Sequence, residues 1–182
     1  MHAAPLPASR DLVLIGGGHT HALVLRAWAM NPLPGVRVTL IDPGATTAYS
    51  GMLPGFVAGH YDRAALDIDL VRLARFAGAR FLPGRATGID RARREVHVEG
   101  RPPIGYDVAP LDIGITSDMP DLPGFAEHAM PAKPLGPFAA AWDRYRAQEG
   151  PADVAVIGAG VPGSSWPWRW PTRCDTATRK ST

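Results

Sequence analysis

The sequence predicts an α/β fold built on a parallel sheet, and three observations lead to this prediction. Residues 11–15 are a short apolar segment typical of a buried strand, and three consecutive glycines follow them directly. Residues 19–30 have the composition of a helix, and residues 36–41 are a second apolar segment. A strand, a glycine turn, a helix and a second strand make a βαβ unit, in which the two strands run parallel.

The segments after this unit predict shorter elements. Residues 45–61 contain several glycines and a proline and are predicted to form a loop. Residues 67–76 are predicted as a helix that places Leu70, Leu73 and Phe76 on one face. The other predicted elements are strands at 79–82, 86–89 and 95–98, a strand at 106–113 that can return to the main sheet, a linker at 131–137, a helix at 138–147 and a buried strand at 152–157.

Composition and charge exclude several classes of protein. The 182 residues are 46% hydrophobic, which is enough for a packed core, and the net charge is only +2 without a run of basic residues. The single cysteine, Cys174, excludes an internal disulfide, a thiolate zinc cluster and a redox-active CxxC motif. No apolar run approaches the roughly 18 residues of a membrane span, and residues 1–10 lack a secretory signal and are predicted to be flexible. We therefore expect a cytoplasmic protein without a transmembrane segment that binds no nucleic acid.

The glycine turn after the first strand is predicted to bind the phosphates of a dinucleotide. Gly16, Gly17 and Gly18 allow a tight turn and a close approach of the backbone, and the helix beginning at His19 directs amide groups at the phosphates. Asp42 ends the second strand about 20 residues further on, where an acid accepts hydrogen bonds from a ribose. A glycine turn that only caps a helix is the alternative.

The sequence His19-Thr20-His21 also permits a metal site, because two histidines one residue apart at a strand end can bind a metal ion. Such a site needs further ligands at other strand ends, and none of the other histidines follows a clear core strand. We therefore predict no metal site.

A second glycine turn follows the predicted strand at 152–157. Residues 158–163 match the GxGxxG spacing, so Gly158 and Gly160 are predicted to contact a second nucleotide. Two strand–glycine turns in one chain are stronger evidence for nucleotide binding than one turn alone.

The two turns and the stretches between them resemble the FAD-dependent pyridine nucleotide-disulfide oxidoreductase superfamily, in particular type II NADH dehydrogenase-like flavoproteins, including the form fused to selenide, water dikinase. The resemblance extends over about residues 11–160. It implies a Rossmann-like FAD/NAD(P)-binding domain with a parallel sheet and a small antiparallel β insertion, incomplete in this chain. The stretches that carry it are LIGGGHTHALVL, YSGMLPGFVAGHY, LARFAGARFLPGRATGID, YDVAPLDIGIT and VAVIGAG.

The resemblance implies that the first turn cradles the FAD pyrophosphate and that the acid after the second strand holds the adenosine ribose. It also implies further contacts to FAD. Ser50, Gly51 and Met52 would approach the flavin, Ala86 would meet the adenine through its backbone, and Gly114 would end a strand that closes on the cofactor.

Two positions depart from the superfamily's pattern. His21 stands at the third glycine position of the first turn, where a small residue normally lets helix and strand pack closely. Asp112 stands where alanine is usual, two residues before Gly114.

The activity that the resemblance implies is that of an FAD-dependent NAD(P)H oxidoreductase. A hydride would pass from the nicotinamide to the flavin, and electrons would then pass to a quinone-like acceptor. No cysteine precedes Cys174, so the thiol relay of the disulfide branch is excluded, and no catalytic residue is predicted. The intact family would be cytoplasmic or peripheral to the membrane.

Residues 164–182 do not fit the predicted fold, because a second nucleotide domain requires a helix after its glycine turn. Three of the five tryptophans lie within residues 166–170, and Pro167 and Pro171 oppose a helix. Tryptophan has only one codon. The reading frame that begins one base earlier therefore encodes Leu, Met or Val at each of the three tryptophan positions and Ala at both proline positions. We therefore expect that a base was lost near the codon of Pro162 and that the sequence after Val161 is a frameshifted, disordered tail of a truncated chain.

The predicted organisation leaves two other functions open. One is an NAD-binding Rossmann protein that uses the first turn and Asp42, and the other is a non-enzymatic interaction protein that acts through its tryptophan-rich tail. The predicted domains are an incomplete FAD-binding domain at 11–130, a linker and helix at 131–150, the start of an NAD(P)H-binding domain at 151–163 and the tail at 164–182.

Overall fold

A computed structural model describes residues 9–116, 121, 123–148 and 154–157. The predicted second turn with Gly158 and Gly160 lies outside the described residues, as do the tail at 164–182 and the site of the expected frameshift after Val161. The chain divides into two compact units. The first comprises the residues up to Thr47 together with Ile68–Gly114, and the second comprises Ala48–Asp67 together with the residues from Ile115 onward.

The first unit contains the predicted βαβ arrangement. Strand β1 (Arg10–Ile15) leads through the glycine turn into helix α1 (His19–Met30), and strand β2 (Val36–Asp42) follows. β1 and β2 pair in parallel, and β5 (Arg80–Pro83) pairs in parallel with the other side of β2. These pairings confirm the predicted α/β fold with a parallel sheet.

The segment predicted to return to the main sheet does so beside β1. The Ile15 amide donates a hydrogen bond to the Pro110 carbonyl at 3.0 Å, and the Ile15 carbonyl accepts one from the Asp112 amide at 2.8 Å. The pairing is parallel, so residues 108–112 form the outer row of the sheet next to β1. The carboxyl end of this row therefore lies at the same edge of the sheet as the glycine turn.

The central residues of β1 and β2 are buried on both faces, which explains why these two strands are mostly apolar. One face packs against α1 and α3 (Leu70–Phe76), and the other packs against the small antiparallel sheet. The first cluster consists of Leu14, Leu25, Val38, Leu40, Leu70 and Ala77. The second consists of Val13, Ile15, Ile41, Val96 and Val98.

The small antiparallel sheet has the predicted place in the chain. It contains β6 (Ala86–Asp90), β7 (Glu95–Val98) and β8 (Ile104–Gly105), in that spatial order. Both pairings are antiparallel. The predicted small antiparallel insertion is thus confirmed.

The helix predicted at 67–76 begins later than expected. Asp67–Asp69 is a short strand, β4, that pairs with β3 (Thr46–Ala48), and α3 starts only at Leu70. The Asp69 carboxylate accepts a hydrogen bond from the Arg72 amide at 2.8 Å and so caps the helix. The predicted apolar face is wrong at Phe76, which is 66% exposed.

The second unit begins in the segment predicted as a loop at 45–61, and the prediction is wrong there. Ser50–Met52 is a 3₁₀ helix, and Leu53–Val57 is the short helix α2 with Pro54 in its first turn. Proline fits there because the first amides of a helix have no partner within it. Phe56 is only 1% exposed, so burial of apolar side chains outweighs the glycine content.

Three further helical segments are described in the second unit: the 3₁₀ helix Arg63–Leu66, α4 (Phe125–His128) and α5 (Leu135–Ala147). α5 starts three residues before the predicted helix, inside the predicted linker. Val154–Ile157, the described part of the strand predicted at 152–157, is not a strand, since it pairs with no other part of the chain that the structure describes. The core of the unit is formed by Leu53, Phe56, Val57, Leu66, Leu135, Phe138 and Ala139. Among the described residues, no helix has the length and apolar character that a membrane span requires.

Candidate functional site

The glycine turn lies at the carboxyl end of β1 and opens directly into α1. Gly16 has a φ of +90°, which a residue with a side chain rarely adopts, and its amide donates to the Ile41 carbonyl at 2.8 Å. Gly18 is the N-cap of α1 and has no side chain to cap it. The first bond of the helix runs from the Ala22 amide to the Gly18 carbonyl, so the preceding amides lie outside the helical ladder.

Asp42 lies directly beside this turn. One carboxylate oxygen, Oδ2, accepts a hydrogen bond from the Gly17 amide at 2.6 Å, and the other, Oδ1, accepts one from the Gly44 amide at 2.8 Å. Each carboxylate oxygen has a further lone pair, so Asp42 retains capacity to accept hydroxyl groups. The structure therefore brings together the glycine turn and the acid that the sequence singled out.

Asp112 also reaches the turn. It lies at the end of the returning segment, residues 108–112, which runs beside β1. Its carboxylate oxygen Oδ2 accepts a hydrogen bond from the His21 amide at 2.8 Å, and its main-chain carbonyl accepts one from the Gly18 amide at 3.1 Å. A Cβ atom on Gly18 would overlap this carboxylate. Asp112 thus supplies the N-terminal cap that Gly18 lacks, a role that sequence reasoning missed when it recorded only a departure from alanine.

His21, the other departure from the expected pattern, is buried beneath the turn. Its side chain is 2% exposed, and its ring nitrogen Nδ1 lies 2.6 Å from the Gly16 carbonyl oxygen. Since a carbonyl can only accept, Nδ1 carries the proton and donates it. His19, in contrast, is exposed at the start of α1. Within the described ranges, no group of three or more His, Cys, Asp or Glu residues is placed to hold a metal ion.

The remaining predicted site residues belong to other elements of the chain. Gly114 follows Asp112 at the end of the returning segment, and a Cβ atom there would meet nothing within 4 Å. Ala86 is half-buried at the start of β6, where it pairs with Val98. Ser50, Gly51 and Met52 form a 3₁₀ helix of the second unit.

A sequence relative and solved structures resemble this chain, although no family model matches it. The NADH dehydrogenase-like protein YutJ of Bacillus subtilis (strain 168) is 28% identical over 165 residues, covering 85% of this chain. The match spans 43% of the length of that relative, so this chain corresponds to less than half of it.

Two solved structures show the same fold. The NAD-dependent persulfide reductase from A. fulgidus has a TM-score of 0.71 at 22% identity, covering 87% of this chain and 31% of that protein. The water-forming NADH oxidase from Lactobacillus brevis, solved bound to NADH, has a TM-score of 0.68 at 18% identity, covering 90% of this chain and 38% of that protein. These findings confirm the resemblance that the sequence predicted.

Proposed function

From the fold that this chain shares with the FAD-dependent pyridine nucleotide-disulfide oxidoreductases, we propose that it carries the ADP-binding part of a flavin-dependent NAD(P)H oxidoreductase. The observation that supports this most directly is the hydrogen bond between the Asp42 carboxylate and the Gly17 amide. It joins the acid at the end of β2 to the glycine turn at the end of β1, which is the arrangement that a dinucleotide-binding βαβ unit requires.

The residues of the turn fit the phosphate groups of FAD. Gly16, Gly17 and Gly18 present main chain without side chains at the amino end of α1, where the helix dipole favours an anion. Asp42 would accept hydrogen bonds from the ribose hydroxyls. Gly114 would lie against the cofactor, and His19, as the first residue of α1, would present its amide to a phosphate.

The other predicted contacts belong to the same proposal. Ser50, Gly51 and Met52 would approach the flavin, and Ala86 would meet the adenine through its main chain. Gly158 and Gly160 would contact the nicotinamide nucleotide. No residue of this chain is assigned to the chemical step.

When bound, FAD would accept a hydride from a reduced nicotinamide and release the electrons to an acceptor. We propose that the acceptor of these electrons is quinone-like. We also propose that the intact protein is cytoplasmic and peripheral to the membrane. The domain boundaries predicted at 130, 150 and 163 are part of this proposal.

The test is a titration of the 182-residue chain with FAD, followed by quenching of the flavin fluorescence, with ADP as competitor. FAD binding that ADP displaces is the result that supports the proposal. Asp42→Ala should weaken binding about tenfold or more, because the ribose hydroxyls lose a charged acceptor. NADH binding without FAD binding would favour the NAD-binding alternative instead.

Asp90→Ala is the matched control. Asp90 also ends a strand, and its Oδ1 accepts hydrogen bonds from the Ala92 and Arg93 amides, each at 2.9 Å. Each of the two alanine variants therefore loses two hydrogen bonds to main-chain amides, but Asp90 belongs to the antiparallel sheet and not to the glycine turn. Equal losses of FAD affinity in the two variants, or no FAD binding by the unmodified chain, would contradict the proposal.

A further inference from the structure

The amino end of α1 already holds an anion from within the chain. The Asp112 carboxylate accepts the His21 amide at 2.8 Å, and its main-chain carbonyl accepts the Gly18 amide at 3.1 Å. Both donors belong to the turn and first helical residues that would face a pyrophosphate. A phosphate oxygen that takes either amide must therefore compete with an oxygen of Asp112.

The position of Asp112 is fixed by the sheet and does not depend on a flexible side chain alone. The Asp112 amide donates to the Ile15 carbonyl at 2.8 Å, which holds the residue beside the end of β1. The glycine at position 18 leaves room for the carboxylate, since any Cβ atom there would overlap it. Helix α1 thus begins without a capping side chain of its own, and Asp112, which lies 91 residues from His21 in the sequence, caps it.

We propose that Asp112 is an internal competitor of the dinucleotide phosphates: it stabilises the unliganded turn and lowers the affinity of the chain for the pyrophosphate. This inference rests on the proposed function, because it concerns the same turn. Displacement of the carboxylate by a phosphate breaks a charge-assisted hydrogen bond. The displaced carboxylate and the phosphate, both negatively charged, then lie near the amino end of α1. Asp112 is accordingly an affinity-determining residue and not a catalytic one.

The opposite effects of removing Asp112 distinguish this proposal from a purely structural role. A residue that only holds the turn in shape would weaken nucleotide binding when removed. A competitor would lower the stability of the free chain and strengthen nucleotide binding at the same time.

The experiment measures ADP and adenosine binding by calorimetry, and thermal unfolding without ligand, for Asp112→Ala and Asp112→Asn. Asp112→Ala should lower the melting temperature and tighten ADP binding by about tenfold, since one charge-assisted bond no longer has to be broken. Adenosine has no pyrophosphate, so its affinity should not rise. Asp112→Asn retains an oxygen acceptor without the charge, so its melting temperature should stay closer to that of the unmodified chain and its ADP affinity should rise less.

Asp69→Ala is the matched control, because Asp69 caps the first turn of α3 through the Arg72 amide at 2.8 Å. It should lower the melting temperature without changing ADP affinity. If ADP binds the unmodified chain and neither Asp112 variant binds it more tightly, the inference fails and the proposed function stands. If the unmodified chain binds neither ADP nor FAD, the proposed function fails and the inference, which rests on it, fails as well.

Discussion

Gly17 and Gly114, both predicted to contact the cofactor, differ in what surrounds them. A Cβ atom on Gly17 would overlap the side chain of Leu70, which is fully buried, whereas one on Gly114 would meet nothing within 4 Å. We expect Gly17→Ala to lower the free energy of unfolding by about 1–3 kcal/mol, because overpacking forces Leu70 to move. Gly114→Ala should leave it nearly unchanged. Urea unfolding measures both, and equal midpoints would contradict this account.

His21 gives a second prediction at the scale of the residue. Replacement by the glycine that the superfamily pattern favours should destabilise the protein by about 1–3 kcal/mol, since the buried Gly16 carbonyl loses its donor and the ring leaves a cavity. Thr20→Gly is the control, because Thr20 is exposed in the same helical turn. The difference between the two urea midpoints is the measured quantity. A His21→Gly midpoint no lower than that of Thr20→Gly would refute a structural role for the imidazole.

The sequence was sufficient to predict that Asp42 lies near the glycine turn, because adjacent parallel strands end at the same edge of a sheet. It was not sufficient for Asp112 or His21. The hydrogen bond of Asp112 depends on the register of a segment 91 residues away, and that of His21 on the path of the turn itself. Local sequence patterns record neither the register of that segment nor the path of the turn. The lack of a capping side chain at Gly18 did, however, indicate that α1 needs a cap from elsewhere in the chain.

At the scale of secondary-structure elements, α2 shows how tertiary burial overrides local composition. Phe56 is 1% exposed in a segment whose glycines predict a loop, while Phe76, predicted to share one helix face with Leu70 and Leu73, is 66% exposed. Phe56→Ala should therefore lower the free energy of unfolding by about 3–5 kcal/mol through the cavity it leaves. Phe76→Ala makes the same change in another helix and should have an effect below about 1 kcal/mol. Denaturant unfolding followed by circular dichroism compares them, and similar losses would show that the burial pattern is wrong.

The accuracy of the element predictions follows the strength of the local signal. α1 and β7 have the predicted bounds, because the apolar residues within each recur with a regular period and the residues on either side interrupt that pattern. The start of α3 was missed because Asp69 serves as a cap, and the residues before it pair with β3. That pairing joins segments about 20 residues apart, which no short window of sequence records.

At the scale of the whole molecule, the returning segment determines which main-chain groups remain unpaired at the outer row of the sheet. Val108, Pro110 and Asp112 are hydrogen-bonded to β1, and before them the Asp107 amide donates to the Asp11 carbonyl. The main-chain groups of Ala109 and Leu111 therefore face the other side, where no described residue pairs with them. An unpaired row of this kind is a template for another strand.

Leu111 makes this edge testable, because it is 58% exposed and lies in the unpaired row. We expect the chain to self-associate as its concentration rises, and Leu111→Lys to shift it toward monomer, since a charge on an edge opposes strand pairing. Leu23→Lys is the control, because Leu23 is 59% exposed on α1, away from any strand edge. Sedimentation velocity over a range of concentrations gives the mass of each variant. Equal masses for the two lysine variants would mean that exposed apolar surface in general, and not this edge, drives association.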